Sequence, residues 1–126
     1  MSIVPAELKY APTHEWASLE ADGIWVVGIT DHAQDALGDV VFVELPAPGR
    51  QVIAGEACAL IESVKTASDI HAPVAGEVMA VNTAVADAPE TVNADAYTAW
   101  LFKIRPTQPG DIEALLDAEG YKACIA

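Results

Sequence analysis

A lone lysine sits in Glu62-Ser-Val-Lys-Thr-Ala-Ser-Asp69, between the apolar runs Ala57–Ile61 and Ile70–Val74. Read by itself, a lysine in a turn is a solvated charge. Use of its amine as a Schiff-base nucleophile would need a desolvated pocket that depresses the pKa. The small polar neighbours of Lys65, with no glycine-rich phosphate loop in the chain, argue against that enzyme class. The other reactive side chains are dispersed. His14, His32 and His71 have no i+4 partner and no adjacent cysteine, so their spacing makes no metal site. Cys58 lies in an apolar run and Cys124 near the C-terminus, an unpatterned pair that reads as structural thiols in a reducing compartment.

Length and charge bound what such a lysine can serve. The 126 residues, 52% hydrophobic, suffice for one domain, expected to span 1–126, with one real core. A formal charge of −13, from 19 acids against 6 bases, repels polyphosphates and excludes nucleic acid as a natural partner. It favours encounter with basic clefts on other proteins. No apolar stretch has the roughly 18–20 residues of a membrane span, and Met1–Tyr10 lacks the basic and apolar regions of a signal peptide. The expected location is the bacterial cytoplasm, or the mitochondrion for a processed form.

The elements that must position Lys65 are mostly strands. Alternating or β-rich runs fall at Glu15–Leu19, Gly23–Ile29, Val40–Leu45, Ala57–Val64, Thr66–Ala72, Glu77–Val81 and Trp100–Ile104, separated by turn signals at Asp22-Gly23, Pro46–Gly49, Ala54-Gly55, Pro73 and Gly76. Seven short strands at this spacing predict a mainly β sandwich or flattened barrel. Thr30-Asp31 predicts a helix over 31–37 that Gly38 stops, and a second helix is expected over 109–123, where Ile112, Leu115 and Leu116 form an apolar stripe for docking on the sheet. Residues 1–22 read as an N-terminal extension. Gly38–Val43 (GDVVFV) echoes Gly76–Val81 (GEVMAV), which predicts two similar halves about a pseudo-twofold with Lys65 between them.

Glu62-Ser-Val-Lys-Thr-Ala-Ser-Asp69, followed by Ile-His-Ala-Pro-Val-Ala-Gly-Glu-Val78, closely resembles the lipoylation site of the glycine cleavage system H proteins. Tyr10–Trp16, Val27–Gln34, Leu37–Pro46, Val92-Asn93 and Trp100–Ile104 agree in order, so the resemblance covers about residues 8 to 121. It implies two antiparallel sheets of the lipoyl/biotinyl-carrier-like hybrid type. It also implies that Lys65, at a β-hairpin tip, carries lipoic acid in amide linkage, with Glu62, Ser63, Val64, Thr66 and Ser68 as the recognition surroundings. Lysine suits this use, because its methylenes plus the lipoyl chain make a tether of roughly 14 Å. A rigid hairpin root raises the effective concentration presented to each partner.

The implied role is that of a carrier, not an enzyme. It would shuttle an aminomethyl group from a pyridoxal-phosphate glycine decarboxylase to a tetrahydrofolate-dependent aminomethyltransferase, and be reoxidised by dihydrolipoyl dehydrogenase after loading by lipoate-attaching enzymes. An H-like lipoate relay serving other complexes is the alternative. The carried ammonium calls for carboxylate receptors, and the resemblance points to Glu15 and Asp69, in a sheltered cleft walled by Trp16 and residues 30–37. Two features depart from expectation. Val64-Lys65 is not an Asn-Gly or Asp-Gly hairpin turn, so the hairpin rests on the resemblance. Asn93-Ala-Asp-Ala-Tyr97-Thr-Ala-Trp100 has alanine where the family carries proline, and a shorter spacing between the aromatics, so this loop must run differently.

Overall fold

In β9 (Phe102–Pro106), Phe102, Ile104 and Pro106 are buried while Lys103 and Arg105 face outward, the period-two pattern of a half-buried strand. Elsewhere the alternation is partial: Glu15–Ala17 and Val27–Ile29 are each buried in succession. The computed structural model describes residues 3–125. The remaining strands are β1 (Lys9–Tyr10), β2 (Glu15–Leu19), β3 (Trp25–Ile29), β4 (Val40–Glu44), β5 (Gln51–Val52), β6 (Ala57–Ser63), β7 (Ala67–His71) and β8 (Gly76–Val81). They pair antiparallel into a six-stranded sheet, ordered β1-β2-β3-β9-β8-β5, and a three-stranded sheet, β4-β6-β7. Val27, Ile29, Val78, Phe102 and Ile104 from the first face Val40, Val43, Ile61 and Ile70 from the second across one core. The fold is thus a flattened sandwich and not a closed barrel.

The internal echo is structural. β4 and β8 occupy different sheets, and each carries a bulge at the matching place, between Val40 and Phe42 against β6 and between Val78 and Ala80 against β9. Residues 3–22 supply β1 and β2, which extend the large sheet.

The first helix, α1 (Asp31–Leu37), forms as its caps dictate. Thr30 Oγ1 accepts the Ala33 N–H at 3.2 Å, and the N–H of Gly38, at φ +81°, closes the helix on the Gln34 carbonyl at 3.0 Å. The single helix expected over 109–123 is corrected. A 3-10 helix, Pro109–Ala114, is followed by extended backbone, and α4 runs from Ala118 to Ile125. The break arises because Leu116 exchanges both backbone hydrogen bonds with Tyr10, at 2.8 and 2.7 Å, so its N–H and C=O are unavailable to a helix. The apolar stripe still packs, but on two places: Ile112 and Leu115 on the main core, Leu116 on a second cluster with Tyr10, Trp16 and Tyr121. Two short helices, α2 (Thr83–Asp87) and α3 (Thr91–Ala94), and the two-residue strands β1 and β5 had no periodic signal. Cys58 is buried, and burial pushes its thiol up to about 11, so it is inert at neutral pH.

Candidate functional site

The register of β6 on β7, with Glu62 opposite Ala67, leaves Ser63-Val64-Lys65-Thr66 to turn the chain. Tight hairpins ordinarily use left-handed backbone at one or both central residues. Among the described residues only His14 and Asp22 have that conformation without being glycine, so Val64 and Lys65 do not. The turn is instead held by Ser63. Its N–H donates to the Thr66 carbonyl at 2.7 Å, and its hydroxyl oxygen accepts the N–H groups of Lys65 and Thr66 at 3.3 and 3.2 Å. A serine that opens a turn and caps its amides is a local signal, and it substitutes here for the missing Asn-Gly. Val64 N–H donates to the Asp39 carbonyl at 3.0 Å and pins the tip to the segment before β4.

Lys65 is exposed, and its stem passes over Gly38, where an added Cβ would stand 3.4 Å from Lys65 Cε. The corner beneath is tied by Asn93 of α3. Its Nδ2 donates to the Gly38 carbonyl at 2.8 Å and to Gln34 Oε1 at 2.9 Å, while its Oδ1 accepts the Val40 N–H at 2.8 Å. No local pattern marks Asn93 for this part, since its partners lie more than fifty residues away. Asn93→Ala removes all three bonds and strands the Val40 N–H. We expect a loss of about 2–3 kcal/mol of stability in denaturant unfolding with an unchanged m-value.

Beside the hairpin lies a cleft of about 280 Å³, walled by α1 through His32, Ala33 and Ala36, by Thr13 and His14, and by β7 through Ser68 and Asp69. Residues 30–37 form a wall as expected, but Trp16 does not. It is buried, donates Nε1–H to the Ala96 carbonyl at 3.1 Å, and faces a separate groove with Tyr97 and Trp100. The altered loop therefore supports Trp16, and Tyr97 accepts the Asp31 N–H at 3.1 Å at the start of α1. No described residue of 93–100 lines the cleft.

The two predicted carboxylates occupy different environments. Asp69 is exposed on β7, opposite Leu60, and opens onto the cleft. Glu15 is 1% exposed and lies behind the cleft wall. Thr13 donates its hydroxyl proton to Glu15 Oε1, His71 N–H donates to Oε2 at 3.1 Å, and His71 Nδ1 stands 3.5 Å from Oε2. Burial raises the Glu15 pKa, and the bonds from Thr13 and His71 offset only part of that rise.

His14 and His32, unrelated in sequence spacing, meet at the cleft with ring centroids 4.9 Å apart. His14 has φ +77° and is linked through its Nδ1 to the Tyr121 hydroxyl at 2.8 Å, which in turn meets Thr30 Oγ1 at 2.7 Å. Since Thr30 Oγ1 already accepts from Ala33, all donors are used when Thr30 donates to Tyr121 and Tyr121 donates to a neutral His14. Burial, then the neighbouring His32, lowers the His14 pKa. The unfolded chain therefore takes this proton more readily than the folded one, so the stability contribution is whole above the ordinary histidine value near 6.5 and is lost as pH falls below it. The His14 contribution to unfolding free energy should fall as pH drops below about 6.5, and His14→Asn should flatten that part of the profile.

Residues 8–126 match the glycine cleavage H-protein family. The chain is 68% identical over 126 residues to the glycine cleavage system H protein of Aromatoleum aromaticum, covering 100% of this chain and 98% of that protein. It is 58% identical over 125 residues to glycine cleavage system H protein 2 of Pseudomonas aeruginosa, covering 99% and 97%. The crystal structure of a glycine cleavage system H protein from Mycobacterium marinum superposes with a TM-score of 0.86 at 44% identity, covering 95% of this chain and 97% of the other. With an exposed hairpin lysine, a sandwich of matching topology and a match from residue 8 onward, the chain belongs to the glycine cleavage H-protein family, whose members are carriers and not enzymes.

Proposed function

We propose that the chain carries lipoic acid in amide linkage on Lys65 Nζ and moves an aminomethyl group from glycine decarboxylase to aminomethyltransferase in the cytoplasm, with dihydrolipoyl dehydrogenase restoring its oxidised form. The observation that carries this reading is an exposed amine on a tightly pinned turn at the mouth of an open cleft. The residues present fit the group. Lys65 makes no ion pair among the described residues, and Gly38 leaves room for its stem. When bound, the lipoyl group supplies a disulfide at the end of a flexible tether, able to accept a one-carbon unit as it is reduced.

The chain's own part is to place, shelter and release. Ser63 holds the turn, so the tether is rooted on rigid backbone. Val64 and Thr66 present the tip, and Glu62 and Ser68 flank it on the two strands. Asp69 offers a carboxylate to an ammonium drawn into the cleft. An exposed pair contributes only about 0–1 kcal/mol, so the walls from α1 and β7 matter as much as the charge. Glu15 acts at one remove: by accepting the hydrogen bond from the Thr13 hydroxyl it orients the Thr13 oxygen lone pairs to accept from the same ammonium. No helix among the described residues is long and apolar enough to cross a membrane.

Coexpression with a lipoate ligase, followed by intact mass and peptide mapping, tests the reading. One lipoyl group should appear, on Lys65. An unmodified Lys65, with the ligase active on a control acceptor, overturns it.

A further inference from the structure

The hairpin exposes more than an amine. Val64 is 70% exposed at the tip, and on β4 Val41 and Phe42 are 56% and 45% exposed. Single apolar side chains at a surface need no account, but these three are brought together. Val64 N–H is bonded to the Asp39 carbonyl, Val40 lies opposite Ser63 and Phe42 opposite Glu62. The bulge at Val41 turns two successive side chains outward while Val40 and Val43 stay in the core. β4 is also the first strand of the three-stranded sheet; α2 packs beside it and Asn93 takes the Val40 N–H, so what it offers a partner is its outward side chains. The surround is acidic: Asp39 and Glu44 bracket the strand, Glu62 stands across from Phe42, and Lys65 is the only lysine or arginine on β4 or the hairpin.

We propose that Val41, Phe42 and Val64, rimmed by Asp39, Glu44 and Glu62, form the docking face for the enzyme that attaches the lipoyl group, and that this enzyme meets it with an apolar slot edged by lysine or arginine. The proposal rests on Lys65 being the modified residue. Reach selects the occupant. The bare lysine holds its amine roughly 6 Å from the backbone, so a catalyst that acylates it must close over the surface around the tip. Enzymes that later act at the end of a tether of roughly 14 Å can stand farther off. The patch lies on the β4 side of Lys65, away from the cleft on the β7 side, so it stays open whether or not the cleft is filled. The acids complement a basic rim and speed encounter.

Loading is measured with purified unmodified chain, lipoate, ATP and a lipoate ligase. The ligase joins the lipoate carboxylate to the α-phosphorus of ATP, expelling pyrophosphate, and Lys65 Nζ attacks the acyl carbon of the resulting adenylate, losing a proton and expelling AMP. A Phe42→Ser, Val64→Ser double variant should lose at least about tenfold in kcat/KM, chiefly through KM, with an unchanged thermal midpoint. A Glu44→Lys, Glu62→Lys variant should load more slowly at low salt and with a flatter salt dependence. If the wild type loads and the apolar double variant loads within twofold of it, the docking face is overturned while the carrier reading stands. Unchanged loading with impaired glycine decarboxylation would assign the patch to the decarboxylase, and overturns the proposal too. A wild type that does not load at Lys65 removes the carrier reading and this face with it.

Discussion

A Lys65→Arg chain should take up no lipoyl group and should reduce glycine oxidation, reconstituted with the other components of the system, to the background without carrier. The guanidinium keeps the positive charge and an aliphatic stem, but its nitrogens stay protonated and delocalised and do not form the amide. The stem can still cross Gly38, and the turn is held by Ser63 and by backbone groups that the substitution leaves alone. Stability should therefore remain within about 0.5 kcal/mol of wild type. Intact mass reads the modification, glycine-dependent NADH formation reads the activity, and thermal unfolding shows that the fold is kept. Retention of glycine oxidation by this variant would refute the carrier role of Lys65.

Gly28→Ala should be the most damaging small substitution in the sandwich. Gly28 lies opposite Trp16 in the β2–β3 ladder, and a Cβ there would sit 2.6 Å from Trp16 Cζ2 and 2.8 Å from Nε1. The ring cannot shift without leaving the Ala96 carbonyl that accepts its N–H. Overpacking of a close-packed core combined with the lost bond should cost about 3 kcal/mol or more, read as a lower denaturant midpoint and a red-shifted tryptophan signal as the buried Trp16 is displaced toward solvent. Glu15 adjoins Trp16 on β2, so any folded fraction should also carry a disturbed cleft wall. Trp16→Phe in the same background should recover part of the loss by making room for the methyl group; no recovery would show that the strain lies elsewhere.

What could be read along the chain was whatever neighbouring residues decide among themselves. The caps of α1, Thr30 and Gly38, were legible because a cap is completed within one turn of helix. Strands such as β2 and β6 declared themselves as β-rich runs of five to seven residues between turn signals, and the segment around Lys65 was legible as a motif. Only tertiary structure decided the rest, because its energies come from pairs distant in sequence. Leu116 left its helix for two bonds to Tyr10, residue 93 became the tie beneath Lys65, and His14 found Tyr121 across 107 positions. Glu15 and Asp69 looked alike as acids; the sandwich buried one at β2 and left the other open on an edge strand. Burial depends on what the opposite layer covers, which no local pattern encodes, and it separates a carboxylate that can meet a cation directly from one that acts through Thr13.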